Sequence, residues 1–368
     1  MNTNSYNPDY VSPPGDTLAE TLEALGMSQT DLARRMGRPV KTVNEIAQGK
    51  TIITPDTALQ LERALGIPAE FWSARESAYQ TALAKQREAD RLDSGKAWLK
   101  RLPVKAMIKQ GWIQPDKDPV ALMRHMLVFF GIASPEQFEA VCLEPVKYRK
   151  SQAFASDPAA LAAWLRRGEL DAQALRLADY DESAFRDALR TIRSATGNDV
   201  KETIQDAIQR CADSGVALVI VPELPGTHVS GATRWLTPSR ALIQLSLRYK
   251  RDDQLWFSFF HEAGHILLHG KRDLFLEDGA STDVREVEAN QFAQDFLIPR
   301  AAYKALTETG SPSREAIIAF AQHQGIAPGV VVGRLQHDRL LPQSHLNDLK
   351  RAISADLSRY PPASPIRT

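Results

Sequence analysis

Apolar residues recur at helical spacing in four short segments near the start of the chain, and a glycine follows each of them. Apolar positions three or four residues apart form one face of a helix, and glycine readily ends one. The pattern predicts a helix at 17–25, a second that opens with a capping box at Ser28 and closes at Gly37, a third at 40–48, and a fourth from Thr54 to Gly66.

The remaining pattern changes from helical to mixed. Residues 73–95 form a polar helix or linker, and residues 96–197 are helical throughout. Short apolar runs at 216–221, 229–235 and 241–247 predict three strands, and helices at 254–268 and 283–297 follow them. The expected fold class is mainly α with a small α+β domain. The expected segments are a disordered arm (1–14), a helical N-terminal domain (15–75), a helical linker or middle domain (76–199), the α+β domain (200–345), and a C-terminal helix and tail (346–368).

The second and third predicted helices, joined at Gly37, have the spacing of a helix-turn-helix. Residues 28–50 are locally basic, although the whole chain is neutral, with Lys+Arg 45 against Asp+Glu 45. Lys41 and Asn44 are expected to face outward, where a recognition helix needs hydrogen-bonding groups for base edges. The predicted DNA-binding residues are Arg34, Arg35, Arg38, Lys41, Thr42, Asn44 and Lys50. The alternative is a helical dimerisation module whose basic face is only solvated.

Residues 261–265 are His-Glu-Ala-Gly-His and lie in a segment that is apolar on nearly every side. A helix that is hydrophobic all round is a buried helix. Residues four apart share a face, so His261 and His265 can bind one metal ion, with Glu262 placed to take a proton from water. His269 is either a partner of these histidines or a surface residue. The alternative is a helix with two core histidines satisfied by backbone carbonyls.

The predicted helix 283–297 is expected to supply a third metal ligand. A capping box opens it at Asp283, and Val284, Phe292 and Phe296 give it an apolar stripe. Glu288 lies beside that stripe, where a solvated glutamate is not expected. Two histidines and one glutamate leave a fourth tetrahedral position open, which is typical of a catalytic zinc site. The predicted Zn²⁺ ligands are therefore His261, His265 and Glu288.

Cysteine content and hydropathy indicate the compartment. Cys142 and Cys211 lie far apart in the sequence and lack metal-ligand spacing, so we expect reduced cysteines in a cytoplasmic protein. The chain has no apolar run of the length needed to span a bilayer, and its N-terminus is polar. We therefore expect neither a membrane span nor a signal peptide.

Two stretches resemble known families. His-Glu-Ala-Gly-His-Ile-Leu-Leu-His at 261–269, followed by Glu-Val-Glu-Ala-Asn-Gln-Phe-Ala-Gln-Asp-Phe-Leu-Ile-Pro at 286–299, resembles the ImmA/IrrE metallo-endopeptidases, over about residues 200–300. The resemblance implies an intracellular zincin-like peptidase that cleaves or controls regulatory proteins. It also implies zinc ligands at His261, His265 and Glu288, and a general base at Glu262.

Residues 13–16 through 53–72 resemble the HigA-type antitoxins of the XRE family, a lambda-repressor-like group. That resemblance implies a dimeric repressor that binds double-stranded operator DNA and is often encoded beside a toxin. One departure concerns the start of the recognition helix, where the family usually has Ser and Arg and this chain has Pro39 and Val40.

The combined expectation is a cytoplasmic, homodimeric transcriptional regulator with a zinc endopeptidase that cleaves a regulatory partner protein, a repressor or a toxin. The substrate is expected to lie along the strand 229–235 as along a sheet edge. The predicted substrate-cleft residues are Ser230, Gly231, Arg234 and Trp235. Arg234, His228 or Tyr249 is expected to steady the oxyanion. The alternative is a HigA-like antitoxin or repressor whose zincin domain is a non-catalytic metal or ligand sensor.

Overall fold

The computed structural model describes residues 12–144, 156–270, 274–277, 283–308 and 310–353. The chain divides into two compact units, Met1–Gly95 and Lys96–Thr368. Residues 1–11 of the predicted arm and residues 354–368 of the predicted C-terminal helix and tail lie outside the described residues.

The described part of the first unit is helical. Its helices are α1 (Pro14–Ala24), α2 (Gln29–Met36), α3 (Val40–Ala47), α4 (Pro55–Leu65) and α5 (Ala69–Gly95). Ser28 caps α2 by accepting a hydrogen bond from the backbone N–H of Asp31, and Gly37 ends it with φ 65°. The capping box and the left-handed glycine are therefore where the sequence predicts them. The third helix starts after Pro39, whose side chain makes no capping hydrogen bond.

Leucines on the inner faces of α1, α2 and α4 build the core of this unit. Leu18, Leu32 and Leu61 are fully buried, and Trp72 of α5 is buried against them. Helix α5 then continues without a break to Gly95. The segment 73–95, for which the sequence left helix and linker open, is helical.

The second unit contains helices and strands in the following order. A 3₁₀ helix (Lys96–Arg101) leads to α6 (Val104–Lys109), α7 (Pro119–Phe130), a π-helical turn (Glu139–Leu143), α8 (Pro158–Gln173), α9 (Glu182–Ala195) and α10 (Val200–Asp213). Then come β1 (Val216–Ile220), β2 (Gly231–Thr237), β3 (Arg240–Leu245), α11 (Asp252–Leu268), β4 (Phe275–Glu277), α12 (Val284–Leu297), α13 (Arg300–Thr307), α14 (Arg314–Gln324), α15 (Pro328–His337) and a 3₁₀ turn (Asn347–Leu349).

The strands form a mixed sheet in the order β1-β3-β2-β4. β1 and β3 are parallel, whereas β2 is antiparallel to both of its neighbours. The first three strands match the three apolar runs of the sequence. β4 was not predicted, because three residues between two strong helical patterns carry too little periodicity to be recognised as a strand.

The sheet is covered on both faces, since alternate residues of a strand point to opposite sides. On one face, Trp256, Phe259 and Phe260 of α11 pack into the main apolar core. On the other face lies α8, where the side-chain amide of Gln244 donates a 2.7 Å hydrogen bond to the carbonyl of Trp164. Helix α8 belongs to the segment predicted as a middle domain, yet it packs directly on the sheet whose other face is covered by α11.

The described helices differ from membrane-spanning helices in length or in hydropathy. None of them alone is long and apolar enough to cross a bilayer; α14 and α15 meet the length and composition requirements only as a pair, which is bent by 118°.

Candidate metal centre

His261 and His265 converge from one face of α11. Both side chains are buried, and their Nε2 atoms lie 3.0 Å apart. The helix is held there because its apolar residues are buried all round, as the sequence predicts for a helix of this composition. Two imidazole nitrogens are thus directed at a single point inside the protein.

Glu286 of α12 completes the cluster. Its Oε2 lies 3.2 Å from Nε2 of His261, and its Oε1 lies 3.4 Å from Nε2 of His265. Among the described residues, these three form a group that could hold a metal ion, with all candidate ligand atoms within 4.8 Å of one another. A two-histidine, one-carboxylate set is therefore present.

The prediction of Glu288 as the third ligand needs correction. Glu288 is 54% exposed, and its Oε2 lies 3.1 Å from Nε2 of His269 instead. Residues two apart in a helix are separated by roughly 200° around its axis, so Glu286 and Glu288 cannot reach the same point. The structure brings Glu286 to the two histidines and leaves Glu288 behind them.

The error came from the choice of the buried stripe on α12. The predicted stripe consists of Val284, Phe292 and Phe296, but Val284 is 69% exposed. The side that is fully buried carries Ala289, Ala293 and Leu297. The small alanines let α12 approach α11 so closely that a Cβ added at Gly264 would lie 3.3 Å from the Cα of Ala289. Glu286, three residues before Ala289, is the acidic residue on that side, and the alanine spacing was the signal that could have found it.

Asn290 fixes the orientation of His261. Its Oδ1 lies 3.0 Å from Nδ1 of His261, and an amide oxygen can only accept, so Nδ1 carries the proton and donates. Nε2 is thereby left to face Glu286: when protonated it donates to the carboxylate, and when deprotonated its lone pair can bind a metal. Such an outer partner is usual for a metal-ligating histidine. Asn290 is not among the site residues that the sequence predicts.

Burial and the charges in the cluster shift the pKa values strongly. Burial alone would lower the pKa of His261, but its hydrogen bond to Glu286 and the nearby carboxylates of Glu277 and Glu262 raise it to about 9. Burial lowers the pKa of His265 to about 4. Burial would raise the pKa of Glu286, yet the two histidines in contact with its carboxylate lower it to about 2. The site therefore keeps an ionised carboxylate beside a group that favours positive charge.

Glu262 is buried between α11 and β2. Its side chain is fully inaccessible, and both carboxylate oxygens lack a hydrogen-bond partner among the described residues. Burial raises the pKa of Glu262 well above its ordinary range. Gly231 leaves the necessary room, because a Cβ there would lie 2.4 Å from Oε1 of Glu262. A carboxyl group kept dry and without a partner is costly and is typical of a functional site.

The donor set fits a zinc ion. Zinc in proteins prefers four tetrahedral ligands with bonds of ~2.0 Å to nitrogen and oxygen, which puts neighbouring ligand atoms roughly 3.3 Å apart. The three separations in the cluster, 3.0, 3.2 and 3.4 Å, lie close to that value. Glu262 is next to the cluster, with two oxygens free for a proton.

A cavity of about 280 Å³ opens beside His261 and Glu286. Its walls are formed by α11, α12 and α15, and by Ser230 and Tyr249 from the loops around β2 and β3. Of the predicted substrate-cleft residues, Ser230 lines this cavity and Gly231 contacts the general-base candidate. Tyr249, one of the predicted oxyanion residues, lines it as well and is half exposed.

The other predicted cleft residues lie elsewhere. Arg234 points to the α8 face, where its Nη2 donates to the carbonyl of Leu165 and lies 3.6 Å from Glu169. Trp235 packs edge-on against Tyr180, with ring centroids 4.9 Å apart. Alternation along β2 explains why Arg234 and Gly231 face opposite sides.

The expectation that 229–235 is an edge strand also needs correction. β2 pairs with β3 on one side, and β4 pairs with residues 231–233 on the other. Where β2 passes Glu262, its outer edge is occupied by β4.

The predicted oxyanion residue His228 lines a second cavity, of about 580 Å³, that also reaches Tyr249.

The helix-turn-helix residues lie mostly on the surface. Arg34, Arg35, Lys41, Asn44 and Lys50 are exposed, and Thr42 is half-buried. Arg38 differs, because its Nε donates a 2.6 Å hydrogen bond to the side-chain oxygen of Gln60 on α4. Lys41 and Asn44 stand on the solvent side of α3, while Val43 and Ile46 are buried on its inner side.

Comparison with known proteins assigns both ends of the chain. A helix-turn-helix family model matches residues 18–72, and a peptidase-family model described as an IrrE N-terminal-like domain matches residues 217–336. The HTH-type transcriptional regulator YddM of Escherichia coli is 30% identical over 73 residues, which are 20% of this chain and 78% of that protein. The chain belongs to the helix-turn-helix family and carries an IrrE-like peptidase-family domain.

Other similar proteins include virulence-associated protein I of Dichelobacter nodosus, 36% identical over 74 residues, 20% of this chain and 68% of that protein. Among solved structures, a HigA-family antidote protein of Coxiella burnetii is 34% identical, with 23% of this chain and 92% of that chain covered and a TM-score of 0.22. The antitoxin HigA of Pseudomonas aeruginosa, solved with the higBA promoter, is 29% identical, with 23% and 94% covered and a TM-score of 0.22.

Proposed function

We propose that this protein is a cytoplasmic DNA-binding transcriptional regulator whose IrrE-like domain is a zinc-dependent endopeptidase acting on a regulatory partner protein, a repressor or a toxin. The observation that carries the proposal is the convergence of His261, His265 and Glu286, with the buried carboxyl group of Glu262 beside them. Three protein ligands leave a fourth position for a reacting molecule, as in catalytic zinc sites.

His261, His265 and Glu286 would hold the zinc. When bound, the ion would polarise the scissile carbonyl and lower the pKa of a water molecule. Glu262 accepts the proton of that water at a carboxylate oxygen and later gives it to the leaving amine. Burial raises the pKa of Glu262 above its ordinary range, which makes its carboxylate a stronger base and favours the first step. Tyr249, on the cavity wall, is the candidate donor to the oxyanion.

The buried glutamate also favours an enzyme over a non-catalytic sensor. A sensor needs the three ligands, but it gains nothing from a carboxyl group whose oxygens have no partner and which costs free energy to bury. Glu262 has a clear role if it transfers protons, and none as a structural residue.

The DNA-binding part of the proposal rests on α3. Its exposed Lys41 and Asn44 suit contacts with base edges, and Arg34 and Arg35 at the end of α2 suit contacts with phosphates. We propose that a homodimer binds a two-fold symmetric operator, since paired helix-turn-helix units read half-sites about one helical turn apart.

We propose a separate protein as the substrate, and not this chain itself. The polar segment 85–95, which would release the first unit if cut, lies inside the continuous helix α5. A helix must unfold locally before its backbone can bind as an extended peptide.

The Glu262→Gln variant tests the enzymatic proposal. It should keep one zinc per chain, measured by mass spectrometry, and lose the cleavage of the partner, because glutamine cannot accept the proton. Mixed with wild-type protein, the variant should stay full-length by intact mass. A wild-type protein that leaves the partner uncut would support the sensor alternative, and cleavage that continues in Glu262→Gln would contradict the role of Glu262 as the base. A variant clipped near residues 85–95 would contradict a separate substrate.

A further inference from the structure

A second pair of side chains lies directly behind the cluster. His269 is the residue directly after the end of α11, four residues beyond His265, and its side chain is only 5% exposed. Nδ1 of His269 lies 2.9 Å from Nδ1 of His265, and Nε2 of His269 lies 3.1 Å from Oε2 of Glu288. The three side chains form a continuous chain of hydrogen bonds that ends at the surface.

The chemistry of these atoms fixes the protons along the chain. A carboxylate can only accept, so Nε2 of His269 carries a proton and donates it to Glu288. A neutral imidazole has one donor and one acceptor, so Nδ1 of His269 accepts. Nδ1 of His265 must then be the donor, which leaves the lone pair of its Nε2 facing Glu286. This is the one tautomer of His265 that can bind a metal in the cluster.

An aromatic ring from β4 holds the two imidazoles in place. Phe275 stacks on His265, with centroids 4.1 Å apart and planes 14° apart, and lies 5.2 Å from His269. The guanidinium group of Arg285 lies 5.3 Å from the ring centroid of Phe275. The rings are therefore fixed in the orientation that the hydrogen bonds require, and β4 contributes to the metal centre through this contact.

We propose that His269 and Glu288 are positioning residues, which hold His265 in the Nδ1–H tautomer and thereby raise the affinity of the cluster for zinc. The inference rests on the proposed zinc centre. It gives Glu288 a role different from that of a ligand, and it explains why a third histidine lies next to two that suffice for metal binding. Outer partners of this kind change metal affinity by about 10- to 100-fold when removed.

The test compares zinc dissociation constants by competition with a chromophoric chelator. His269→Phe keeps an aromatic ring for the tilted contact with Phe275 and removes both nitrogens, so its zinc affinity should fall by about 10- to 100-fold. His269→Gln, which can still accept and donate, should recover part of the loss. Glu288→Gln keeps a hydrogen-bond acceptor at a half-exposed position, so its zinc affinity should fall only a few-fold. The matched control is Asp295→Asn, near the C-terminal end of α12 and away from the cluster. It breaks an exposed ion pair with Arg300 and should bind zinc like wild type.

Imidazole ¹⁵N spectra of the metal-free proteins give a second readout, which a merely structural effect would not move. His265 should show the Nδ1–H tautomer in wild type and a mixture in His269→Phe. Equal affinity and equal tautomer populations in wild type and His269→Phe would overturn the positioning role while leaving the zinc centre intact. A wild-type protein that binds no zinc would instead overturn the proposed function, and with it this role.

Discussion

Gly231→Ala probes the fit between β2 and Glu262. The new Cβ would lie 2.4 Å from Oε1, 2.8 Å from Cγ and 3.0 Å from Cδ of Glu262, whereas ordinary contacts are about 1 Å longer. Glu262 is fully buried, and because its Cγ and Cδ are crowded as well as its oxygen, turning the carboxylate alone would not relieve the overlap. Overpacking of this kind costs about 1–3 kcal/mol, so the melting temperature should fall by roughly 2–12 °C.

The assay is thermal unfolding of four proteins in a double-mutant cycle. Gly231→Ala is introduced into wild type and into Glu262→Ala, where the three clashing atoms are absent. Gly231→Ala should lower the melting temperature strongly in wild type and only slightly in Glu262→Ala, because residues in contact couple by about 0.5–3 kcal/mol. Gly270→Ala is the matched control, since a Cβ there meets nothing within 4 Å.

An equal drop in both backgrounds would refute the reasoning, since the cost would then arise from the strand and not from Glu262. Peptide cleavage gives a further check on the same variant. A shift of about 1 Å at a catalytic group can reduce the rate on the order of 10²-fold, while the zinc content should stay at one per chain.

Two further predictions concern the pH dependence of stability and the binding of DNA. Burial raises the pKa of Glu262 above its ordinary 4.5, so its protonated form stabilises the fold below that pH and the stabilisation is lost as the pH rises through the folded-state pKa. In metal-free protein, the melting temperature of Glu262→Gln minus that of wild type should therefore increase as the pH rises beyond about 4.5. A difference that stays constant up to about pH 8 would contradict this prediction. In DNA binding, Asn44→Ala should cost about 1–3 kcal/mol at one base position, whereas Arg35→Ala should weaken all sequences and lower the salt slope by about one. If both variants lose the same affinity for every DNA sequence, α3 does not recognise individual bases.

Strong periodicity made the larger elements predictable. Four helices with glycine ends gave the helix-turn-helix, and the all-apolar segment around His261 gave a buried helix with both histidines on one face. The strands β1, β2 and β3 followed from short apolar runs. These are local properties, which a chain displays without its tertiary contacts.

The tertiary contacts decided what the sequence could not. Glu286 and Glu288 have the same chemistry and differ only in which side of α12 is buried, and that side is chosen by close packing of Ala289 against Gly264. β4 forms only because β2 offers it an edge. The orientation of Arg234 depends on α8, which approaches the sheet from a distant part of the sequence.

The most direct test of the account is a pair of variants two residues apart on α12. Glu286→Ala and Glu288→Ala remove the same side chain from one helix, and zinc per chain is measured by mass spectrometry after saturation and gel filtration. The cluster geometry predicts that Glu286→Ala loses the zinc and that Glu288→Ala keeps one zinc per chain, with an affinity lower by at most the ~100-fold of an outer partner. Zinc that is retained in Glu286→Ala and lost in Glu288→Ala would contradict it.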